Sequence, residues 1–91
     1  MTIEIYRTLY CGYCRRAKAL LDRKGVPYEE IDCTLDGKTR RWLVEQTGRR
    51  TVPQIFIDGI PIGGYDELAA LDRAGELDRI LRGERAPAHV G

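Results

Sequence analysis

The chain has 91 residues, with 15 basic against 14 acidic side chains and a formal net charge of +1. That length accommodates one small domain and excludes two, and the balanced charge gives no general reason to expect nucleic acid or an anionic membrane as partner. No apolar run approaches the ~20 residues that span a bilayer. The opening MTIEIYR lacks the basic-then-apolar form of a signal peptide, so the sequence reads as cytoplasmic.

Residues 2–7 (TIEIYR) alternate, with Ile3 and Ile5 on one face and Glu4 opposite, and predict a strand. Residues 14–24 turn helical, with Cys14, Ala17, Leu20 and Leu21 along one stripe and Gly25 as the stop. Residues 27–33 (PYEEIDC) form a second strand, and 38–46, carrying Trp42, Leu43 and Val44, a second helix that ends at Gly48. Residues 54–57 (QIFI) are the strongest strand signal. Asp58-Gly59 is a hairpin turn pair leading into a short strand over 60–63. Leu68, Leu71, Leu77, Ile80 and Leu81 recur at helical spacing over 66–82, interrupted by Gly75. The order β-α-β-α-β-β-α predicts an α/β domain over 1–83, one mixed sheet with helices on both faces, and a flexible C-terminal tail over 84–91.

Cys11-Gly12-Tyr13-Cys14 lies where the first strand feeds the first helix. Residues i and i+3 of a helix are neighbours, within disulfide reach. Free N–H groups at a helix N-terminus favour an anion, and Arg15 and Arg16 add positive charge. The thiolate of Cys11 is therefore favoured as nucleophile, with Cys14 on the apolar stripe as the shielded resolving thiol. Zinc would need four ligands, and Cys33 and His89 are the only other candidates. A permanent staple does not suit a reducing compartment.

Two further stretches bear on this pair. Pro53, in Arg50-Thr51-Val52-Pro53-Gln54, heads a strand, where a missing N–H is tolerated. A cis Val52-Pro53 bond would instead turn the Val52 backbone outward to pair with an extended peptide. Gly63-Gly64-Tyr65-Asp66 reads either as a turn with Asp66 as N-cap or as a helix-mouth cradle for a carboxylate.

These three stretches, in this order, resemble the glutaredoxin family, and most closely its small bacterial dithiol members, over about residues 2–82. The resemblance implies a thioredoxin-like fold with strand order 2-1-3-4, a cis Pro53, and glutathione-dependent thiol-disulfide exchange through Cys11 and Cys14. It implies that glutathione, the reductant, is held at Tyr13, Thr51, Val52, Pro53, Gly64, Tyr65 and Asp66. Arg40 is the preferred cation for the glycyl carboxylate, because the usual lysine is replaced by Thr8 and Arg7 is one position away. Disulfide-bearing or glutathionylated proteins are the implied substrates, and the working form is a monomer. Gly12 stands where the family usually has proline. Relatives with a small residue there sometimes bridge a [2Fe-2S] cluster between two chains through the first cysteine and glutathione, so a cluster carrier using Cys11 is the alternative.

The remaining candidates read more plainly. Cys33 is expected as a buried core thiol and Trp42 as half-buried packing. Lys18, Arg23 and Lys24 are expected as a solvated helix face, Asp22 and Glu67 as surface charges, and His89 as a solvated tail residue. Tyr10, next to the nucleophile, is expected either to shield it or to contact a protein substrate.

Overall fold

Successive strand residues face opposite sides of a sheet, and here both sides carry apolar residues that need a cover. The computed structural model, which describes residues 1–87, satisfies them with three layers. The elements are β1 (Ile3–Arg7), α1 (Gly12–Lys24), β2 (Glu29–Asp32), α2 (Gly37–Thr47), β3 (Gln54–Ile57), β4 (Ile60–Gly63), α3 (Tyr65–Arg73) and α4 (Glu76–Leu81). The sheet order is β2-β1-β3-β4. β1 pairs parallel with β2 and antiparallel with β3, and β3 pairs antiparallel with β4. This is the thioredoxin-like arrangement expected from the sequence.

One face of the sheet presents Ile3, Ile5, Ile55, Ile57 and Ile62, which pack with Ala17, Leu20 and Leu21 of α1, Leu68 of α3, and Leu77 and Ile80 of α4. The other face presents Tyr6 and Phe56 to Leu43 of α2 and to Cys33. Trp42 caps this smaller cluster, stacking on Phe56 at 5.6 Å between centroids while staying partly exposed. Its expected half-buried role is borne out.

Several local expectations change. α1 begins at Gly12 rather than at residue 14, because its N-cap is Cys11 itself. β2 is shorter than the expected 27–33. At Gly75 a φ of +77° makes the interruption a full break between α3 and α4. The basic face of α1 is not simply solvated. Lys18 pairs with Glu30 at 2.9 Å, and Lys24 joins α1 to the last two helices through Asp72 (2.5 Å) and Asp78 (3.0 Å). Asp22 accepts a 2.7 Å hydrogen bond from the Tyr28 hydroxyl. These pairs join elements distant in sequence, which periodicity cannot anticipate. Past α4, Arg85 pairs with Glu76, and the Glu84 N–H donates to the Arg79 carbonyl at 2.9 Å. His89 lies outside the described residues.

Candidate active site

α1 starts at the end of β1, so the strand delivers Cys11 to the helix mouth. The Cys11 sulfur is the helix cap: it accepts the Cys14 N–H at 3.2 Å, while the Cys11 carbonyl takes the Arg15 N–H at 3.2 Å. No acidic residue occupies the first turn of α1. The positive end of this helix therefore acts on the sulfur without competition from a carboxylate. Cys11 is partly accessible, whereas Cys14 is only 1% exposed, and both are free thiols. Burial, and after it the hydrogen bond with Cys11, push the Cys14 thiol up to about 12. One sulfur is thus reachable and the other is held protonated beneath it. This matches the expected contrast in exposure between the two sulfurs.

Opposite the pair stands the segment ahead of β3. The Val52–Pro53 bond is cis, as the resemblance implied. The Val52 carbonyl lies 3.7 Å from the Cys11 sulfur, which puts that sulfur beside backbone that an extended peptide can pair with. Gln54, fully buried at the start of β3, donates through Nε2 to the Thr51 carbonyl at 2.8 Å and so fixes this segment from below.

The third wall is the mouth of α3. Its N-cap is Gly64, so of the two readings of this stretch the one that made Asp66 the N-cap does not hold; Asp66 and Glu67 fill the first turn. The Glu67 carboxylate accepts the Gly64 N–H at 2.9 Å and also pairs with Arg49 from the α2–β3 loop. Burial pushes the Glu67 carboxyl up, but the Arg49 and Gly64 donors outweigh it and hold the group below the usual carboxylate range. Glu67 is therefore a structural pin rather than a surface charge. The two glycines follow from crowding. A Cβ on Gly63, at φ +125°, would fall 2.6 Å from the Glu67 Oε1, and one on Gly64 would fall 3.2 Å from the Pro53 carbonyl.

Between these walls lies a groove of about 260 Å³, lined by Tyr13, Thr51, Val52, Pro53, Gly64, Tyr65 and Asp66 together with Arg49 and Glu67. The Tyr13 and Tyr65 rings meet at 6.2 Å, and the Arg16 guanidinium stands 5.2 Å over Tyr13. Every predicted glutathione-site residue except Arg40 lines this groove. Arg40 donates to the Arg50 carbonyl at 3.1 Å and lines a neighbouring 410 Å³ pocket with Arg41 and Arg50. Arg49 and Glu67 were not singled out for the groove. Glu67 stands three residues after Gly64, the spacing of a capping box, but a glycine in place of Ser or Thr hides that signal.

Cys11 and Cys14 themselves line a second cleft, of about 240 Å³, with Thr8, Leu9, Tyr10 and Arg15. Arg7 also reaches this cleft but is engaged by Glu30 (2.9 Å) and Asp32 (3.4 Å). Cys33 is fully buried, its thiol 3.3 Å from the Arg7 carbonyl, and burial pushes it up, as an inert core thiol requires.

The glutaredoxin family model matches residues 3–62. The chain belongs to the glutaredoxin family. Glutaredoxin 3 of Escherichia coli K12 is 49% identical over 80 residues, 88% of this chain and 96% of that protein. The solution structure of the Brucella melitensis glutaredoxin superimposes with a TM-score of 0.83 at 44% identity, covering 93% of this chain and 92% of that one. A crystal structure of a buckwheat glutaredoxin–glutathione complex superimposes with a TM-score of 0.79 at 37% identity, covering 94% and 81%. Glutaredoxin membership implies thiol-disulfide oxidoreductase activity. Among the described residues, no helix is long and apolar enough to cross a membrane.

Proposed function

We propose that the protein is a glutathione-dependent thiol-disulfide oxidoreductase in which Cys11 carries glutathione. The carrying observation is an accessible sulfur capping a helix that has no first-turn acid, above a buried partner thiol and beside a peptide-sized groove. The Cys11 thiolate attacks the glutathione sulfur of a mixed disulfide. The Cys11–glutathione bond forms, the old disulfide breaks, and the departing thiolate takes a proton from water. A second glutathione, as thiolate, then attacks the glutathione sulfur held on Cys11, releasing glutathione disulfide and the Cys11 thiolate. Without it, Cys14 loses its proton and attacks Cys11, closing the Cys11–Cys14 bond and expelling glutathione.

In this reading the Val52 backbone pairs with the cysteine of glutathione, and Tyr13 flanks its sulfur. Thr51 and Pro53 line the tripeptide. The γ-glutamyl carboxylate sits at the mouth of α3 beside Tyr65 and Asp66, because the Gly64 N–H is already taken by Glu67. Arg49 is committed to Glu67, whereas no carboxylate pairs with Arg40 among the described residues, so Arg40 is the cation for the glycyl end. Disulfide-bearing and glutathionylated proteins are the substrates, in the reducing cytoplasm, with the monomer as working form.

The cluster-carrier alternative asks more of the chain. No group of three or more His, Cys, Asp or Glu able to hold a metal occurs among the described residues. One chain offers a single accessible sulfur, so a cluster would need two chains and two glutathiones. Steady-state reduction of the glutathione mixed disulfide of β-mercaptoethanol, with the visible spectrum of anaerobically purified protein, separates the readings. A colourless protein with brisk turnover supports the oxidoreductase. A brown protein with negligible turnover contradicts it.

A further inference from the structure

Among the described residues, one buried side-chain oxygen has no hydrogen-bond partner, and it belongs to the residue that follows the groove's Pro53. Gln54 is the first residue of β3, stands opposite Tyr6 of β1, and is 0% exposed. Its Nε2 donates to the Thr51 carbonyl at 2.8 Å and lies 3.4 Å from the Thr51 hydroxyl oxygen. A carbonyl can only accept, so the nitrogen of the amide must face Thr51. The oxygen, Oε1, is then left buried and unpaired. Such an acceptor is costly, and a hydrocarbon of the same length would fill the place without that cost. Thr51 is exposed, so water can serve its carbonyl in place of Gln54. Stability therefore does not account for a glutamine at this position.

What the amide does hold is the loop that walls the groove. Residues 50–52 lie between α2 and β3 and make no backbone–backbone hydrogen bond among the described residues. Side chains hold their carbonyls instead, one each. Arg40 donates to Arg50 at 3.1 Å, Gln54 to Thr51 at 2.8 Å, and the Cys11 thiol to Val52 at 3.7 Å. These holds differ in permanence. The Cys11 contact loses its donor when the thiol ionises or enters a disulfide, because neither form carries a proton on sulfur. Arg40 is a long, partly exposed side chain, and the proposed exchange gives it the glycyl carboxylate as well. The Gln54 amide is neutral, fully buried and indifferent to the state of the sulfur. It is the hold that persists through every step.

We infer that Gln54 is a positioning residue for the glutathione groove: it keeps the Thr51 and Val52 backbone in place for strand pairing while Cys11 passes between thiolate and mixed disulfide, at the expense of fold stability. Gln54 does not line the groove, so it touches no ligand itself. It acts through Thr51, fixing a carbonyl one residue ahead of the Val52 backbone that pairs with the tripeptide. A loop already held in its binding shape takes up a ligand without a further ordering cost. The unpaired Oε1 is the consequence of that aim. Gln54 shares its sheet face with Phe56, and the cluster on that face, Tyr6, Phe56, Leu43 and Cys33, gives the oxygen no partner. This inference rests on the glutathione reading proposed above.

The test is Gln54→Met, which keeps the length of the side chain and removes both polar atoms. Binding of S-methylglutathione, a probe that cannot exchange, is measured by NMR titration beside Tm and the rate of Cys11 alkylation by iodoacetamide. The variant is expected to bind the probe about three- to tenfold more weakly, the worth of one hydrogen bond. Its Tm should lie no more than about 4 °C below that of the wild type, because the unpaired oxygen has gone with the amide. Cys11 should alkylate within about twofold of the wild-type rate, since the sulfur keeps its helix cap. Unchanged affinity for the probe would overturn the inference. So would a larger fall in Tm or a variant that does not fold, because the amide would then serve the fold rather than the groove. A larger change in alkylation would overturn it too, since Gln54 would then act on the sulfur. Failure of the wild type to bind the probe would instead strike at the glutathione reading itself.

Discussion

Two helices of this glutaredoxin begin at the active site, and they are dressed in opposite ways. The mouth of α1 is capped by a cysteine sulfur, has no acid in its first turn and is followed by Arg15 and Arg16. The mouth of α3 has Asp66 and Glu67 in its first turn, and the Glu67 carboxylate already holds the Gly64 N–H. The dipole of each helix favours an anion at its N-terminal mouth. Only α1 leaves that preference open, and the group placed there is the one that, in the proposed exchange, must become an anion to react. The α3 mouth spends part of its capacity on its own carboxylate, so it serves to hold the groove's shape as much as to bind charge.

Replacing the cap is the most drastic way to break the contrast. Cys11→Ser should reduce turnover of a glutathione mixed disulfide by at least about 10³-fold, because a serine hydroxyl is not ionised at neutral pH and removing a nucleophile leaves little chemistry. Cys14→Ser should keep most of that turnover, since glutathione itself resolves the intermediate. Comparable losses in both variants, measured in one steady-state assay, would mean the two sulfurs are wrongly assigned.

The second test follows the proton on Cys14. Its thiol is pushed up to about 12, so the folded state holds the proton through neutral and mildly alkaline pH. Closure of Cys11–Cys14 from the glutathionylated intermediate, followed without free glutathione, should accelerate about tenfold per pH unit from 7 to 9, as the reactive thiolate fraction grows. A plateau near pH 8 would contradict the burial argument. The linked stability runs the opposite way. It is fully present below the ordinary thiol value and is lost as pH rises toward about 12.

Glu67→Gln tests the other mouth. It removes the charge that holds both Arg49 and the Gly64 N–H, and should cost about 1–2 kcal/mol by thermal unfolding, with a raised KM for the mixed disulfide. Because the Glu67 carboxyl sits below the usual range, its contribution is present above that range and fades as pH falls through the folded value. Wild type and variant should therefore converge in strong acid; an undiminished gap there would point to shape rather than charge. The smallest effect is expected for Gly12→Pro. Gly12 is the first residue of α1, where proline fits, and the nearest atom to its missing Cβ is an Arg15 tip at 4.0 Å. The gain should be about 0.4–1 kcal/mol from a less flexible unfolded chain, read as a raised Tm. A lowered Tm would mean the turn depends on glycine.

How far the sequence told this story differs between the same two regions. At α1 the cysteine spacing, the preceding strand and the apolar stripe of Ala17, Leu20 and Leu21 were all legible. The apolar stripe alone starts the helix two residues late, at Cys14, whereas Cys11 stands at the helix mouth as the position of the motif between strand and helix implied. β3 and β4 lie where their residues predict, since QIFI and Asp58-Gly59 are strong local signals. At α3 the reading failed in detail. Asp66 is the usual kind of capping residue, but the N-cap is Gly64 because the carboxylate of Glu67 does the capping from inside the helix. Arg49 escaped notice beside Arg50: nothing local says which of two adjacent arginines turns its side chain toward α3 and which offers its backbone carbonyl to Arg40. Such choices are made by tertiary approach, as are the Lys18–Glu30 and Lys24–Asp72 pairs.

The central claim is that Cys11 is the sulfur that carries glutathione while Cys14 stays protonated beneath it. The most direct measurement is mass spectrometry of the Cys14→Ser variant after brief exposure to glutathione disulfide at neutral pH. The account predicts a single glutathionyl adduct, located by peptide mapping on Cys11, with Cys33 unmodified. An unmodified Cys11, or an adduct on Cys33 instead, would contradict it.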